Sequence, residues 1–119
     1  MLCVDKEAGV EEMAEAIRSE DGLEPTTATT VAEAGDRIES EAVDCVVTEY
    51  DLTDGTGLDV VGHLRDADPH TPVVLFTGVS PSEIDTASFE EMIVEYLNRD
   101  LPDAPDRLGF IVDDVISHS

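Results

Sequence analysis

The sequence predicts an α/β fold: five parallel strands in one doubly wound sheet between two helical layers, a (βα)5 chain with strand order 2-1-3-4-5. Three observations lead there. Apolar runs alternate with amphipathic stretches along the chain, and strands alternating with helices imply a parallel sheet covered on both faces. The two clearest strand candidates, "AVDCVV" and "PVVLF", are nearly continuous apolar runs, as strands buried on both faces should be. A length of 119 residues suits one domain with one core, here residues 1–119 with no output domain.

The elements follow in order. Leu2 to Val4 is a short first strand. Val10, Met13, Ala14 and Ile17 then recur at helical spacing, and Gly22 in "SEDGLEP" is a stop signal. Residues 23–29 form a Thr-rich second strand suited to a sheet edge. Thr30 is placed to cap a second helix carrying Val31, Ala34 and Ile38, with Glu33 positioned as in a capping box. "AVDCVV" is the third strand, and Leu58, Val61 and Leu64 mark the third helix. Gly55 and Gly57 read as turn residues at its entry. "PVVLF" is the fourth strand, residues 81–91 a weakly apolar fourth helix, and "MIVEYL" the fifth strand. The last helix spans 105–117, with Leu108, Ile111, Val112, Val115 and Ile116 on one side.

Composition narrows the function classes. There are 29 acidic residues against 6 Lys plus Arg, a net charge of -23. Disorder is one reading of such a balance, but the clustered apolar residues, 41 % of the chain, argue against it. The other is a cytoplasmic protein of a salt-loving organism, because at about 1 M salt the Debye length falls to about 3 Å and surface repulsion is screened. Without a basic patch, nucleic-acid binding is not expected. No apolar run approaches the roughly 18 residues of a membrane span. Cys3 and Cys45 lie in apolar runs and read as buried reduced thiols. His63, His70 and His118 show no ligand spacing, so zinc is not expected.

In a doubly wound sheet, chemistry gathers at the carboxyl ends of the strands beside the switch point. Strand one ends at Asp5, Lys6 and Glu7; strand three at Thr48, Glu49 and Asp51; strand four at Thr77; strand five at Tyr96 and Arg99. Asp5, Lys6, Glu49, Thr77 and Arg99 should therefore converge on one cleft.

Together "CVDKE", "VDCVVTEYDLTDGTGLDVV", "TPVVLFTG" and "EYLNRD" resemble a response-regulator receiver domain across essentially the whole chain. The resemblance implies a flavodoxin-like fold and a role in two-component (phosphorelay) signalling. Receivers accept a phosphoryl group from a sensor kinase's histidine onto an aspartate at the end of strand three. A strand-one acidic pair and a strand-three backbone carbonyl help hold Mg²⁺. A hydroxyl residue after strand four and a lysine after strand five bind the phosphoryl oxygens, and a strand-five aromatic changes position with the active state. Here Asp5 matches the first acid, Thr77 the hydroxyl residue and Tyr96 the switch aromatic. Lys6 stands for the second acid, Glu49 for the acceptor aspartate, Arg99 for the lysine and Asp100 for the usual following proline. By the same resemblance Asp51 would offer Mg²⁺ its backbone carbonyl.

These departures set the expectations for the site. Lys6 removes an oxygen ligand and puts a cation beside the metal position, so Mg²⁺ binding should be weak or absent and no cofactor is expected. Lys6 is expected to pair with Glu49 or Asp5. Glu49, one methylene longer than aspartate, would reach toward the phosphoryl space, where Arg99 can offer a two-point fork and Thr77 a hydroxyl. Glu49 is then either a partial mimic of the phosphorylated state or a satisfied buried acid. Asp51 is the alternative acceptor, less suited because its geometry toward Arg99 and Thr77 is not assured. Asp54 and Asp59 read as solvated surface acids.

The expected function is thus a receiver module acting through protein–protein contacts without ordinary phosphorylation, not an enzyme and with no catalytic residue assigned. Its partners would be a sensor histidine kinase or another signalling protein, and a homodimer could form through the face of helix four, strand five and helix five. A working phosphoacceptor using Asp51 or Glu49 with Mg²⁺ is the alternative. A flavin or nucleotide binder fits poorly, because "DKEAG" after strand one is acidic and has a single glycine.

Overall fold

Apolar side chains alternate between the two faces of a central sheet, and that alternation decides where each helix packs. The computed structural model describes residues 1–19, 22–41, 43–67, 71–79 and 93–117. Its elements are β1 (Leu2–Val4), α1 (Glu7–Arg18), β2 (Thr26–Ala28), α2 (Val31–Ser40), β3 (Val46–Thr48), β4 (Asp51–Leu52), β5 (Gly55–Thr56), α3 (Gly57–Ala67), β6 (Val73–Thr77), β7 (Ile93–Asn98) and α4 (Ala104–Ser117). Five strands form a parallel sheet in the order β2-β1-β3-β6-β7. This is the predicted order, with the Thr-rich β2 at an edge. The expected fourth helix, residues 81–91, lies outside the described residues.

On one face Leu2, Val4, Val46 and Val73 pack with residues of α2 and α3. On the other, Cys3, Val47, Val74 and Phe76 pack with residues of α1 and α4. Neighbouring residues of one strand thus belong to different clusters, which is why the strands read as unbroken apolar runs. Burying each Val or Leu contributes roughly 1.5–3 kcal/mol, so these two clusters hold the layers together. Of the described acidic residues only Asp5 and Glu49 are buried.

Several local expectations change on contact with the structure. The side of α3 that enters the core is Val60, Val61 and Leu64, whereas Leu58 is only half-buried. Helix α2 is capped by Thr30, whose hydroxyl accepts from Glu33 N–H at 3.0 Å, but Glu33 bonds back to Thr29 N–H at 2.9 Å, one residue before the cap. Gly55 and Gly57, expected as turn residues, fall in β5 and at the start of α3: β4 and β5 pair antiparallel, Asp51 opposite Thr56. Helix α1 ends at Arg18 with Ser19 as its C-cap, before the expected stop at Gly22, which has φ 85°, a conformation that favours glycine.

Candidate functional site

The sheet's hydrogen bonds continue past the strand ends and bring the site residues level. Asp5 N–H donates to Ala28 O, Glu49 N–H to Val4 O at 2.9 Å, and Arg99 N–H to Thr77 O at 3.2 Å. Asp5, Lys6, Glu49, Thr77 and Arg99, the five residues expected to converge, line one cleft of about 220 Å³ together with Asp51, Gly78 and Val79.

Glu49 is 5 % exposed, and its carboxylate is fully engaged. Oε1 accepts from Tyr50 N–H at 2.8 Å and Asp51 N–H at 3.4 Å; Oε2 accepts from Arg99 Nη1 at 2.5 Å. A buried carboxylate is costly without such partners. The Arg99 contact is not the two-point fork anticipated. One guanidinium nitrogen is shared, 2.5 Å from Glu49 Oε2 and 3.0 Å from Asp5 Oδ2. Burial pulls the guanidinium toward its neutral form, but the Glu49 hydrogen bond and the two carboxylate charges outweigh it and raise its pKa.

Asp5 is 2 % exposed. Its Oδ1 accepts from Lys6 N–H at 2.7 Å, while its buried Oδ2 has an ion-pair contact to Arg99 and, among the described residues, no hydrogen bond of good geometry. Burial raises the Asp5 pKa, against the lowering effect of Arg99.

Lys6 pairs with neither Glu49 nor Asp5. Its Nζ lies 3.3 Å from Asp51 Oδ2, with both side chains about half exposed or more. The physical reason is twofold. Lys6 is the N-cap of α1, with extended backbone outside the helix, and Arg99 already holds both buried acids. Asp51, the alternative acceptor, therefore directs its carboxylate to Lys6 at the mouth of the cleft.

Thr77 and Tyr96 meet on the loop after β6. Thr77 Oγ1 accepts from Val79 N–H at 3.1 Å, and among the described residues no hydrogen bond joins it to Glu49. The Tyr96 hydroxyl donates to Val79 O. Asp100 N–H donates to Asn98 Oδ1 at 2.9 Å, a bond the family's usual proline could not make.

The segment after Glu49 is held by residues read from sequence as solvated. Asp54 Oδ1 accepts from Val31 N–H at 2.7 Å and Oδ2 from Ala32 N–H at 3.2 Å, a second cap on α2 supplied from the β4–β5 turn. These bonds, the Val31 one foremost, hold the Asp54 carboxyl below its ordinary range. Asp59 Oδ2 accepts from Thr56 N–H at 2.9 Å. Gly57 is needed for close approach: a Cβ there would lie 2.6 Å from the Glu49 backbone oxygen.

Two residues of the site carried no sequence signal that singled them out. Gly9 makes room for the ion pairs, since a Cβ there would stand 2.3 Å from Asp5 Oδ2 and 3.0 Å from Arg99 Nη2. Phe76 lies beneath the guanidinium, with Arg99 Cζ 5.4 Å from its ring centroid, within cation–π range.

The ring of acids also allows a test of the metal that the resemblance implies. Mg²⁺ demands near-octahedral oxygen ligands. Asp5 Oδ2 and Glu49 Oε2 both face the same Arg99 nitrogen, and Asp51 Oδ2 faces Lys6. Arranged this way, the donor set does not fit a divalent ion: Arg99 stands between the two buried acids and Lys6 holds Asp51.

Residues 1–108 match the family described as "Response regulator receiver domain". This chain belongs to that receiver family. It is 34 % identical over 86 residues, 72 % of the chain, to the response regulator protein PilR of Pseudomonas aeruginosa. The match spans 19 % of PilR's length. The receiver fold is shared with a CheY-like receiver domain protein from Methanospirillum hungatei, at TM-score 0.84 and 19 % identity over 98 % of this chain and 92 % of that one. The receiver domain of NtrX from Brucella abortus is similar too, at TM-score 0.80 and 22 % identity, covering 99 % of this chain and 98 % of the other. Among the described residues of the receiver domain, no helix is long and apolar enough to cross a membrane.

Proposed function

We propose that this receiver domain works in two-component signal transduction as a cytoplasmic interaction module that does not depend on phosphorylation. Its partner would be a sensor histidine kinase or another signalling protein. The observation that carries this reading is Glu49. At the position matched to the acceptor aspartate stands an acid whose two oxygens are bound by Arg99 and by the amides of Tyr50 and Asp51. A carboxylate spent on three donors is a poor nucleophile, and it holds the donors that an incoming phosphoryl group would need. The domain would therefore keep one arrangement of the cleft without modification.

One observation favours a second reading, a working phosphoacceptor. The Asp51 carboxylate is exposed at the mouth of the cleft beside Lys6. Incubation with acetyl phosphate and Mg²⁺, followed by intact-mass measurement, separates the two. An unchanged mass is expected; a stoichiometric gain of one phosphoryl group would replace the first reading with the second.

A further inference from the structure

Arg99 sits where three independent features of the chain converge. Asp5 and Glu49, the only buried acids among the described residues, flank one of its nitrogens at 3.0 and 2.5 Å. Gly9 leaves an open place on the facing side of α1, where a Cβ would crowd both Asp5 Oδ2 and Arg99 Nη2. Phe76 underlies the guanidinium. The arginine side chain is 25 % exposed, so its charge is partly withdrawn from water while remaining next to two carboxylates that are almost entirely withdrawn.

Two buried carboxylates sharing a site repel each other and need a cation between them. Oxygen ligands of this kind ordinarily suit a hard divalent ion. Here the nitrogen already lies between Asp5 Oδ2 and Glu49 Oε2. Among the described residues the buried Asp5 Oδ2 has one charged contact, the Arg99 nitrogen at 3.0 Å, so its charge depends on that guanidinium.

We propose that Arg99 is the resident cation of this cleft, a covalently attached substitute for a divalent metal, seated by Gly9 and Phe76. The inference rests on the reading of the domain as phosphorylation-independent and deepens it: the site carries its own counter-charge and has no use for Mg²⁺. It follows that the metal site is latent. Removal of the guanidinium leaves Asp5 and Glu49 facing each other with Asp51 nearby, and the cleft becomes a binding site for a divalent ion.

The test compares the wild-type chain with Arg99→Ala in thermal melts. Each is melted in MgCl₂ and in KCl of equal ionic strength, because a chain of net charge -23 is stabilised by any salt. Wild-type midpoints should coincide in the two salts. Arg99→Ala should melt lower than wild type in KCl and regain stability in MgCl₂. At ten times its dissociation constant Mg²⁺ raises the folding constant about 11-fold, worth about 5 °C for a chain of this length. MnCl₂ should broaden the amide resonances of Lys6, Tyr50 and Asp51 in the variant and leave those of the wild type sharp.

Wild-type broadening at those amides, or a wild-type Mg²⁺ shift equal to the variant's, overturns the proposal. So does a folded Arg99→Ala with no Mg²⁺ excess. If Arg99→Ala does not fold in KCl, the double variant Arg99→Ala/Glu49→Gln, with one buried charge fewer, should fold and lack the Mg²⁺ response; a full response there also overturns it. No arm uses a phosphoryl donor, so phosphorylation of the wild type would defeat the functional reading separately from this one.

Discussion

Gly9→Ala should destabilise the receiver domain, although the same exchange in a helix usually does the reverse. Gly9 is the third residue of α1. Alanine gains up to about 1 kcal/mol over glycine from helix propensity. Against that, the new methyl would stand 2.3 Å from Asp5 Oδ2 and 2.9 Å from its carboxyl carbon. Asp5 is the end of a side chain, but not a free one: its Oδ1 is tied to Lys6 N–H at 2.7 Å and its Oδ2 lies 3.0 Å from Arg99. To clear the methyl, Asp5 must give up one of these contacts, and a hydrogen bond to a charged group is worth about 1.5–3 kcal/mol. The balance is a net loss of about 0.5–2 kcal/mol, so the coupling to Asp5 must be about 1.5–3 kcal/mol, in the upper half of the range for residues in contact. In an Asp5→Ala background the closest obstacle is gone and only the flexible end of Arg99, at 3.0 Å, must give way, so Gly9→Ala should then stabilise by up to about 1 kcal/mol. Urea unfolding at fixed KCl measures all four corners of this cycle, since urea does not alter ionic strength. The reasoning is refuted if Gly9→Ala stabilises the otherwise wild-type chain, or if its effect is the same with and without Asp5.

Other outcomes follow from single contacts. Tyr96→Phe removes the hydroxyl that donates to Val79 O and should cost about 1 kcal/mol, with faster amide exchange in the Thr77–Val79 loop; unchanged exchange there would mean the bond does not hold the loop. Asp54→Ala should loosen the start of α2. The folded carboxyl of Asp54 titrates below its unfolded value of about 3.9, so its contribution is present above that pH and fades as pH falls through the folded value. The stability gap between wild type and Asp54→Ala should therefore narrow on acidification from about pH 6 to about pH 3, and a gap independent of pH would rule the charge out. Burial pushes the Cys3 and Cys45 thiols up to about 12, so neither should react with iodoacetamide in the native chain at about pH 8. Native-state labelling at the rate of the unfolded chain would contradict that.

Much of the fold was legible because it depends on patterns the backbone reads directly. The unbroken apolar runs of β3 and β6 announced strands covered on both faces, and a doubly wound sheet must then gather Asp5, Glu49, Thr77 and Arg99 at one edge. The Arg99–Glu49 pair was legible; that Arg99 also meets Asp5, and that Lys6 meets neither, was not. Lys6 and Arg99 both reach the cleft, and the choice is made by the extended backbone at Lys6, the space left by Gly9 and the ring of Phe76. Asp54 and Asp59 looked like two more acids on an acidic surface; only the β4–β5 hairpin, a pair of two-residue strands, aims Asp54 at α2. Lys6, expected beside the two buried acids, instead faces Asp51, and Arg99 takes the place between them. Phe110, 69 % exposed on α4, falls opposite the buried stripe of Ala104, Leu108 and Val112 and so lies outside the helical core pattern.

The most direct measurement of the central claim is phosphoryl uptake by the wild-type chain beside the triple variant Lys6→Asp/Glu49→Asp/Arg99→Lys. Both are incubated in molar KCl with saturating acetyl phosphate and Mg²⁺, and intact mass and fragmentation are read. The account predicts an unmodified wild type and a triple variant carrying one phosphoryl group at position 49. A wild-type chain that gains one phosphoryl group, at Glu49 or at Asp51, would contradict it.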